Sequence, residues 1–297
     1  MKQLEEKALR GQVAVVAGAT RGAGRGIALM LGEAGATVYA TGRSIRGKPA
    51  TQGRPETIDE TAEMVNARGG VGIAVRVDHT VEAEVKALFE RVKREQDGRL
   101  DVLVNDVWGG DELSEWGKPF WEQSLPRGLL MQERAVRSHI ITSHYGAPLM
   151  VARGQGLILE ITDGIDYDYR GNFFYSLAKI SAIHLAKAMA EDLRPHHITA
   201  LALTPGFLRS EAKLDHLGVT EATWQEGAKT DPDFAASETP FFIGRAVVAL
   251  AADPQVAEKA GKTVATWDLA REYGFTDVDG SQPNWGQYFT EHIANQT

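Results

Sequence analysis

Residues 13–16, Val-Ala-Val-Val, form an apolar run that stops at a glycine-rich turn. Runs of the same kind recur at residues 37–40, 71–77, 100–104, 157–161, 199–203 and 263–266. Several are apolar throughout rather than alternating, the pattern of strands buried on both faces of a parallel sheet. The stretches between them change period. In residues 81–96, Val85, Leu88, Phe89 and Val92 fall three or four positions apart and share one helix face. Strand and helix alternating in this way predict an α/β fold: a single Rossmann domain with a parallel seven-stranded sheet, right-handed crossovers and helices on both faces.

No linker or internal repeat divides the chain, so residues 1–297 are read as one domain. Three segments resist the strand-helix pattern. Residues 43–55 are Gly/Pro-rich and basic, residues 107–128 are rich in Gly, Pro and Trp, and residues 207–240 lie between better-defined elements. Long loops in a compact domain usually serve function. The second and third are expected to be active-site insertions, and residues 268–297 form a C-terminal tail.

Composition narrows the chemistry. With 43% hydrophobic residues the chain can bury one sizeable core. It has no cysteine, which excludes disulfides, thiolate metal sites and cysteine nucleophiles. A net charge of −8 argues against nucleic acid or an anionic membrane as partner. The longest apolar runs are too short to span a bilayer. Residues 1–10 are charged and lack the apolar centre of a signal peptide. The expectation is a cytoplasmic protein without a metal site, acting on a small molecule.

The turn after the first run is the first candidate for chemistry: Gly18-Ala19-Thr20-Arg21-Gly22-Ala23-Gly24, opening into a helix. A pyrophosphate needs backbone amides aimed at it and no side chain in the way. Glycine supplies both, and the helix N-terminus adds a favourable dipole. The second candidate is Tyr175-Ser176-Leu177-Ala178-Lys179, a YxxxK on a predicted helix. Its spacing puts both functional groups on one face. The Lys179 ammonium is expected to favour the tyrosinate and lower the phenol pKa from about 10. A positioned tyrosine can give a proton to a carbonyl oxygen or take one from an alcohol.

The GxxxGxG turn, together with YxxxK between a fifth and a sixth strand, resembles the short-chain dehydrogenase/reductase (SDR) family. Ala17 and Ala23 stand where the family's TGxxxGIG has threonine and isoleucine. Leu100-Asp101-Val102-Leu103-Val104-Asn105 resembles the fourth-strand motif that ordinarily continues as NNAG, but continues here as Asp106-Val107-Trp108-Gly109. Pro205-Gly206-Phe207-Leu208-Arg209-Ser210 resembles PGxxxT with serine for threonine. The stretch from Ala251 to Gly280 is similar to the C-terminal region of one subgroup, that of dehydrogenase/reductase SDR family member one and its bacterial relatives. The resemblance covers nearly the whole chain.

That resemblance implies a catalytic Tyr175 and Lys179, with a serine hydroxyl to polarise the substrate carbonyl. No serine is present; the segment reads Ile161-Thr162-Asp163-Gly164. Thr162 lies thirteen residues before Tyr175, the usual spacing, and its hydroxyl could do the same work. A loop one residue shorter would put Asp163 there, where a carboxylate repels a developing alkoxide unless protonated. Chemistry therefore favours Thr162. The family's relay asparagine, counted back from Pro148 and Met150, falls on Ala135, which cannot relay protons.

NAD enzymes of this fold place an acid at the end of the second strand. Here Gly42 stands there, followed by Arg43 and Ser44, and the resemblance brings Arg21 to the same region. Two guanidiniums without an acid suit a 2′-phosphate, so the expected cofactor is NADP(H). By the same resemblance, Asp78 and His79 flank the adenine, and Asn105 and Val107 line the cofactor's middle. Pro205, Gly206 and Leu208 complete the site with Tyr175, Lys179 and the glycine turn itself: Gly18, Thr20, Gly22, Ala23 and Gly24. An aromatic set including Trp108, Trp116 and Phe207 suits a bulky apolar ketone. The expected assembly is a homodimer or homotetramer. A second reading, a non-catalytic NADP-binding sensor on the same fold, draws on the altered serine and the missing asparagine.

Overall fold

The computed structural model describes residues 7–51 and 53–293. The first six residues of the charged N-terminus, residue 52 and the last four of the C-terminal tail lie outside the described residues. Every predicted run forms a strand: β1 (Val13–Ala17), β2 (Thr37–Gly42), β3 (Val71–Arg76), β4 (Val102–Asn105), β5 (Gly156–Ile161), β6 (Ile198–Thr204) and β7 (Thr263–Ala265). They make one parallel sheet in the order β3-β2-β1-β4-β5-β6-β7. The wholly apolar runs are central and buried, whereas β3, which mixes apolar and polar positions, is the edge strand with Val71 exposed.

The helices are α1 (Gly22–Glu33), α2 (Ile58–Ala67), α3 (Glu82–Glu95), α4 (Leu125–Gln132), α5 (Ser138–Arg153), α6 (Phe173–Leu193), α7 (Glu211–Leu217), α8 (Pro240–Ala252), α9 (Thr266–Tyr273) and α10 (Trp285–His292). They cover both faces of the sheet. Because side chains alternate along a strand, β1 divides itself between two cores. Ala14 and Val16 meet Ile27 and Leu31 of α1 and Phe242 of α8. Val13 and Val15 meet Phe89 of α3 and Met150 of α5. On α3 the buried residues are Val85, Leu88, Phe89 and Val92, the face read from the periodicity. Packing of α1 on α8 is close enough that a Cβ on Gly26 would lie 2.0 Å from the Pro240 carbonyl oxygen.

Strand order reverses between β1 and β4, so their following segments diverge and leave a crevice at the carboxyl ends of the strands. The two turns nearly touch. A Cβ on Gly18, whose φ of +95° already favours glycine, would sit 2.4 Å from the Asp106 carbonyl oxygen. The three irregular segments follow β2, β4 and β6, so all gather at this same edge. The third is not a plain loop: it contains α7 and two short 3₁₀ turns, Glu221–Lys229 and Pro232–Ala236. Among the described residues no helix is long and apolar enough to cross a membrane.

Candidate active site

A cleft of about 300 Å³ opens at the crevice. Gly18, Thr20, Arg21, Gly22 and Ala23 form its floor. At Gly22 the backbone has φ +57°, and its amide, the first of α1, takes a 2.7 Å hydrogen bond to the Glu211 carboxylate. This carboxylate stands in for an anionic oxygen at a helix N-terminus. Beside it one buried nitrogen of Arg21, Nη1, has no hydrogen-bond partner, while Nη2 donates to Thr51 at 2.9 Å. Arg43 and Ser44 line the far end, with Arg43 3.9 Å from Asp78. Burial works against a charge on Asp78, but Thr80 donates to it twice and Arg43 adds its charge, so its pKa stays below the usual value. A Cβ at position 42 would meet Thr20 Oγ1 at 2.5 Å, so an acid there would have to displace that hydroxyl. An amide-lined floor, the Arg21 guanidinium, which lies 3.8 Å from Glu56 through Nη1, and a basic end wall fit an anionic dinucleotide.

His79, Val107, Pro205 and Leu208 also line the cleft. Four other residues assigned to the cofactor do not. Asn105 is a correction: it is fully buried, and its amide turns behind the cleft to Ser143 at 2.8 Å and Glu160 at 2.6 Å. Gly24 packs against Gly18 and the Asp106 carboxylate, which leave no space for a Cβ. Gly206 lies under Trp285 and Glu238. Tyr175 does not line the cleft; its ring packs against Trp108, which does.

The tyrosine is placed by the start of α6. The Asn172 side chain caps the helix by accepting the Tyr175 amide at 3.0 Å, and its own amide donates to Glu115 of the insertion at 3.0 Å. Trp108 meets the Tyr175 ring edge-on at 5.5 Å and Trp116 at 5.3 Å. The phenol hydroxyl donates to Asp163 Oδ2 at 2.8 Å. Thr162, chosen from its spacing, lines the cleft but turns its hydroxyl away from the tyrosine. Thr162 is 2% exposed and its hydroxyl donates to the Lys179 carbonyl at 2.7 Å, so its one proton is spent inside the fold. The carboxylate of Asp163 is the group that faces the tyrosine. The expected acidification of the phenol is also corrected. Burial and the neighbouring Asp163 carboxylate push the Tyr175 pKa well above its ordinary value. The Lys179 ammonium lies 4.1 Å over the Trp108 ring, farther from the tyrosine ring at 5.5 Å.

The loop after β6 is held by a buried carboxyl group. Glu238 accepts from the Gly206 amide at 2.9 Å and the Thr266 hydroxyl at 2.8 Å through Oε2, and its backbone pairs with Phe207 and Arg209. Burial raises its pKa from 4.5 to about 8, against the pull of those two donors. A group raised in this way stabilises the fold fully below its unfolded value, and the contribution is lost as pH rises from about 4.5 to about 8. Glu238→Gln, which cannot ionise, is therefore expected to gain in melting temperature relative to wild type as pH rises across that window. Thermal melts of both proteins across the range check this, and parallel pH curves would contradict it.

Several site features carry no motif of their own. Arg134 lines the cleft opposite Arg43, donating to the Gly109 carbonyl at 2.9 Å. Burial and the Arg43 charge both lower its pKa. Behind Lys179, His139 pairs with Glu160 at 2.6 Å. Glu211 reaches the glycine turn from a helix 189 residues away in sequence. A charged residue at a buried-strand position, Glu160 inside β5, was the one available sequence signal among these.

A family model, short chain dehydrogenase, matches residues 12–216. Dehydrogenase/reductase SDR family member 1 of Mus musculus is 40% identical over 276 residues, covering 92% of this chain and 85% of that protein. A short-chain dehydrogenase structure from Mycobacterium thermoresistibile superposes with a TM-score of 0.78 at 24% identity, covering 94% of this chain and 92% of the other. A structure from Beutenbergia cavernae, assigned as an NAD(P)-dependent gluconate 5-dehydrogenase and holding NADP at low occupancy, superposes with a TM-score of 0.68 at 25% identity. It covers 88% of this chain and 97% of its own. Sheet order, glycine turn, YxxxK helix and these likenesses agree: the chain belongs to the short-chain dehydrogenase/reductase family of oxidoreductases.

Proposed function

We propose that this chain is an NADP(H)-dependent oxidoreductase that moves hydride between nicotinamide and a carbonyl or alcohol substrate, with a bulky apolar ketone as the carbonyl form. The observation that carries the reading is the Tyr175 hydroxyl, hydrogen-bonded at 2.8 Å to Asp163 and sharing α6 with Lys179, beside a cleft built for an anionic dinucleotide. When bound, the nicotinamide supplies the hydride acceptor or donor. The protein's part is the proton. With Asp163 ionised, the phenol proton points at the carboxylate and the phenol oxygen is free to accept from an alcohol. As hydride leaves the alcohol carbon, its proton passes to Tyr175 and the phenol proton to Asp163. Reduction runs the same exchange backwards from a protonated Asp163. The indoles of Trp108 and Trp116 keep water from the pair and present an apolar surface to the substrate. Exposed Leu129 on α4 and Phe173 and Leu177 on α6 support a homo-oligomer. A panel of ketones, quinones and steroid-like carbonyls, scored by NADPH oxidation, tests the activity. Turnover is expected with at least one bulky apolar member, and none with any member would defeat the proposal.

NADPH is expected to bind more tightly than NADH. Arg21, Arg43 and Arg134 line the cleft, and the relative from Beutenbergia cavernae holds NADP. A charge-assisted hydrogen bond is worth about 1.5–3 kcal/mol. Arg43→Ala should therefore weaken NADPH about 10- to 150-fold and leave NADH almost unchanged. Fluorescence titration with both nucleotides measures this; equal wild-type affinities would refute it.

A further inference from the structure

One buried side chain, Asn172, joins the substrate side of the site to the tyrosine. It stands at the N-cap of α6 and is 1% exposed. Its Oδ1 accepts the Tyr175 amide at 3.0 Å, and its Nδ2 donates to the Glu115 carbonyl at 3.0 Å. Only this orientation of the side-chain amide satisfies both neighbours, since the first is a donor and the second an acceptor. Asp, Ser and Thr cap helices about as well as Asn. Asp has no proton to donate, however, and in Ser or Thr one oxygen would have to face both partners. Capping alone therefore gives no reason for the second bond.

The peptide that Asn172 grips is the one that leads into Trp116. The Glu115 carbonyl and the Trp116 amide lie in one peptide plane, so holding the first sets the backbone of the second. Trp116 is 57% exposed, yet its ring lies 5.3 Å from the Tyr175 ring. That much exposure leaves the indole little packing of its own, and its place depends on its backbone. The Glu115 carboxylate draws the same turn together, accepting the Ser124 amide and the Lys118 ammonium, each at 2.7 Å. Gly171, beside Asn172, has φ +78°, and a Cβ there would lie 3.5 Å from the Trp116 ring. The contacts close a circuit from Asn172 to Glu115, on to Trp116, across to Tyr175 and back to Asn172. Trp108, which lines the cleft, meets the same tyrosine ring edge-on.

We propose that Asn172 is a specificity-determining positioning residue: one of its atoms seats the proton donor, and another seats the indole wall that a bulky substrate meets. It acts through Tyr175 and Trp116 rather than on the substrate itself. A carbonyl compound large enough to press on Trp116 bears on the peptide that Asn172 holds, so its fit is passed to the turn that aims the phenol. A small carbonyl compound reaches Tyr175 without loading that wall. Selection for bulky ketones thus rests on one amide hydrogen bond as well as on the area of the indoles.

The two halves of Asn172 are separable by substitution. Asn172→Ser keeps an N-cap acceptor for α6 and loses the amide donor; Asn172→Ala loses both. The start of α6 also has a tie that does not pass through Trp116. Gln132 of α4 donates to the Phe174 carbonyl at 2.7 Å, and Gly128 leaves the room that the Phe174 ring occupies. Losing the amide donor should therefore free the wall without unseating the helix.

The test rests on the proposed oxidoreductase reading and has two arms. In the first, Asn172→Ser is compared with wild type on a bulky and a small ketone. The ratio of kcat/KM, bulky over small, is expected to fall about 2- to 10-fold, the worth of one hydrogen bond, chiefly through the KM of the bulky ketone. Asn172→Ala should also lower kcat on both ketones, and Asn172→Ser should recover part of that loss because it restores the cap. In a double-mutant cycle with Trp116→Ala, Asn172→Ser should no longer change the ratio once the indole is gone. A folded Asn172→Ser with the wild-type ratio, or losses that add in the cycle, overturns the proposal and leaves the oxidoreductase reading intact. If the serine variant does not fold, Asn172→Asp, another strong N-cap without an amide donor, takes its place. In the second arm, hydrogen exchange is measured on the cofactor-free protein. Amides of residues 115–124 should exchange faster in the variant while α6 keeps its protection, and unchanged exchange over 115–124 overturns the link. Faster exchange there, in a protein whose wild type turns over no carbonyl, condemns the oxidoreductase reading and keeps the link.

Discussion

Tyr175→Phe is expected to keep the fold and the cofactor affinity and to lose about two to four orders of magnitude in kcat, the usual worth of a positioned proton donor. The ring carries the packing. Trp108 and Trp116 meet its edge and face, and neither contact involves the hydroxyl. The hydroxyl carries the proton, and its one hydrogen bond goes to Asp163. Losing a hydrogen bond at a half-buried site costs about 1 kcal/mol of stability, far less than the catalytic loss. The phenol pKa is raised, so the resting enzyme holds phenol rather than tyrosinate through neutral pH. An ultraviolet titration of cofactor-free wild type against Tyr175→Phe should show no tyrosinate from this residue below about pH 10. More than a few percent of wild-type turnover in the Phe variant would remove Tyr175 from the proton path.

The fold was legible because its signals are local. Buried parallel strands write themselves as unbroken apolar runs, and α3 as a face of Val85, Leu88, Phe89 and Val92. The glycine turn was legible for the same reason: one strand end and one helix start, adjacent in sequence, specify it. The substrate side was less readable because long-range contacts build it. Asn172 caps α6 and holds the insertion at Glu115, 57 residues away. Glu238 pins Gly206 across 32 residues. Arg134 lies in the π-helical turn Glu133–Arg137 and Glu211 in a short helix, and only the folded chain brings Arg134 into the cleft and Glu211 onto the glycine turn. The motif for residue 105 pointed to the cofactor, but no pattern in the sequence shows that an acid on the next strand draws its amide away.

The same limit governs residues 162 and 163, and it sets the remaining test. Counting positions before Tyr175 selects Thr162, yet one residue of loop length decides which side chain turns toward the tyrosine. At the end of β5 that turn buries the Thr162 hydroxyl against the Lys179 carbonyl and leaves the Asp163 side chain facing Tyr175. Arg170 then fixes the choice by donating to the Asp163 carbonyl oxygen at 2.8 Å. Asp163→Asn keeps this shape but cannot take the phenol proton. A reaction that needs the pair should lose about 10²–10³ in rate, as when one transition-state partner is removed. Alcohol oxidation and ketone reduction should both show the loss, because each passes a proton between Tyr175 and Asp163. Thr162→Val removes a hydroxyl that serves the fold, so it should lower the melting temperature while changing kcat less than about tenfold, in keeping with a lost hydrogen bond of about 1 kcal/mol. The decisive measurement is the pair of rates for the two variants with one substrate. A Thr162→Val loss equal to that of Asp163→Asn, in protein equally well folded, would return the role to the threonine.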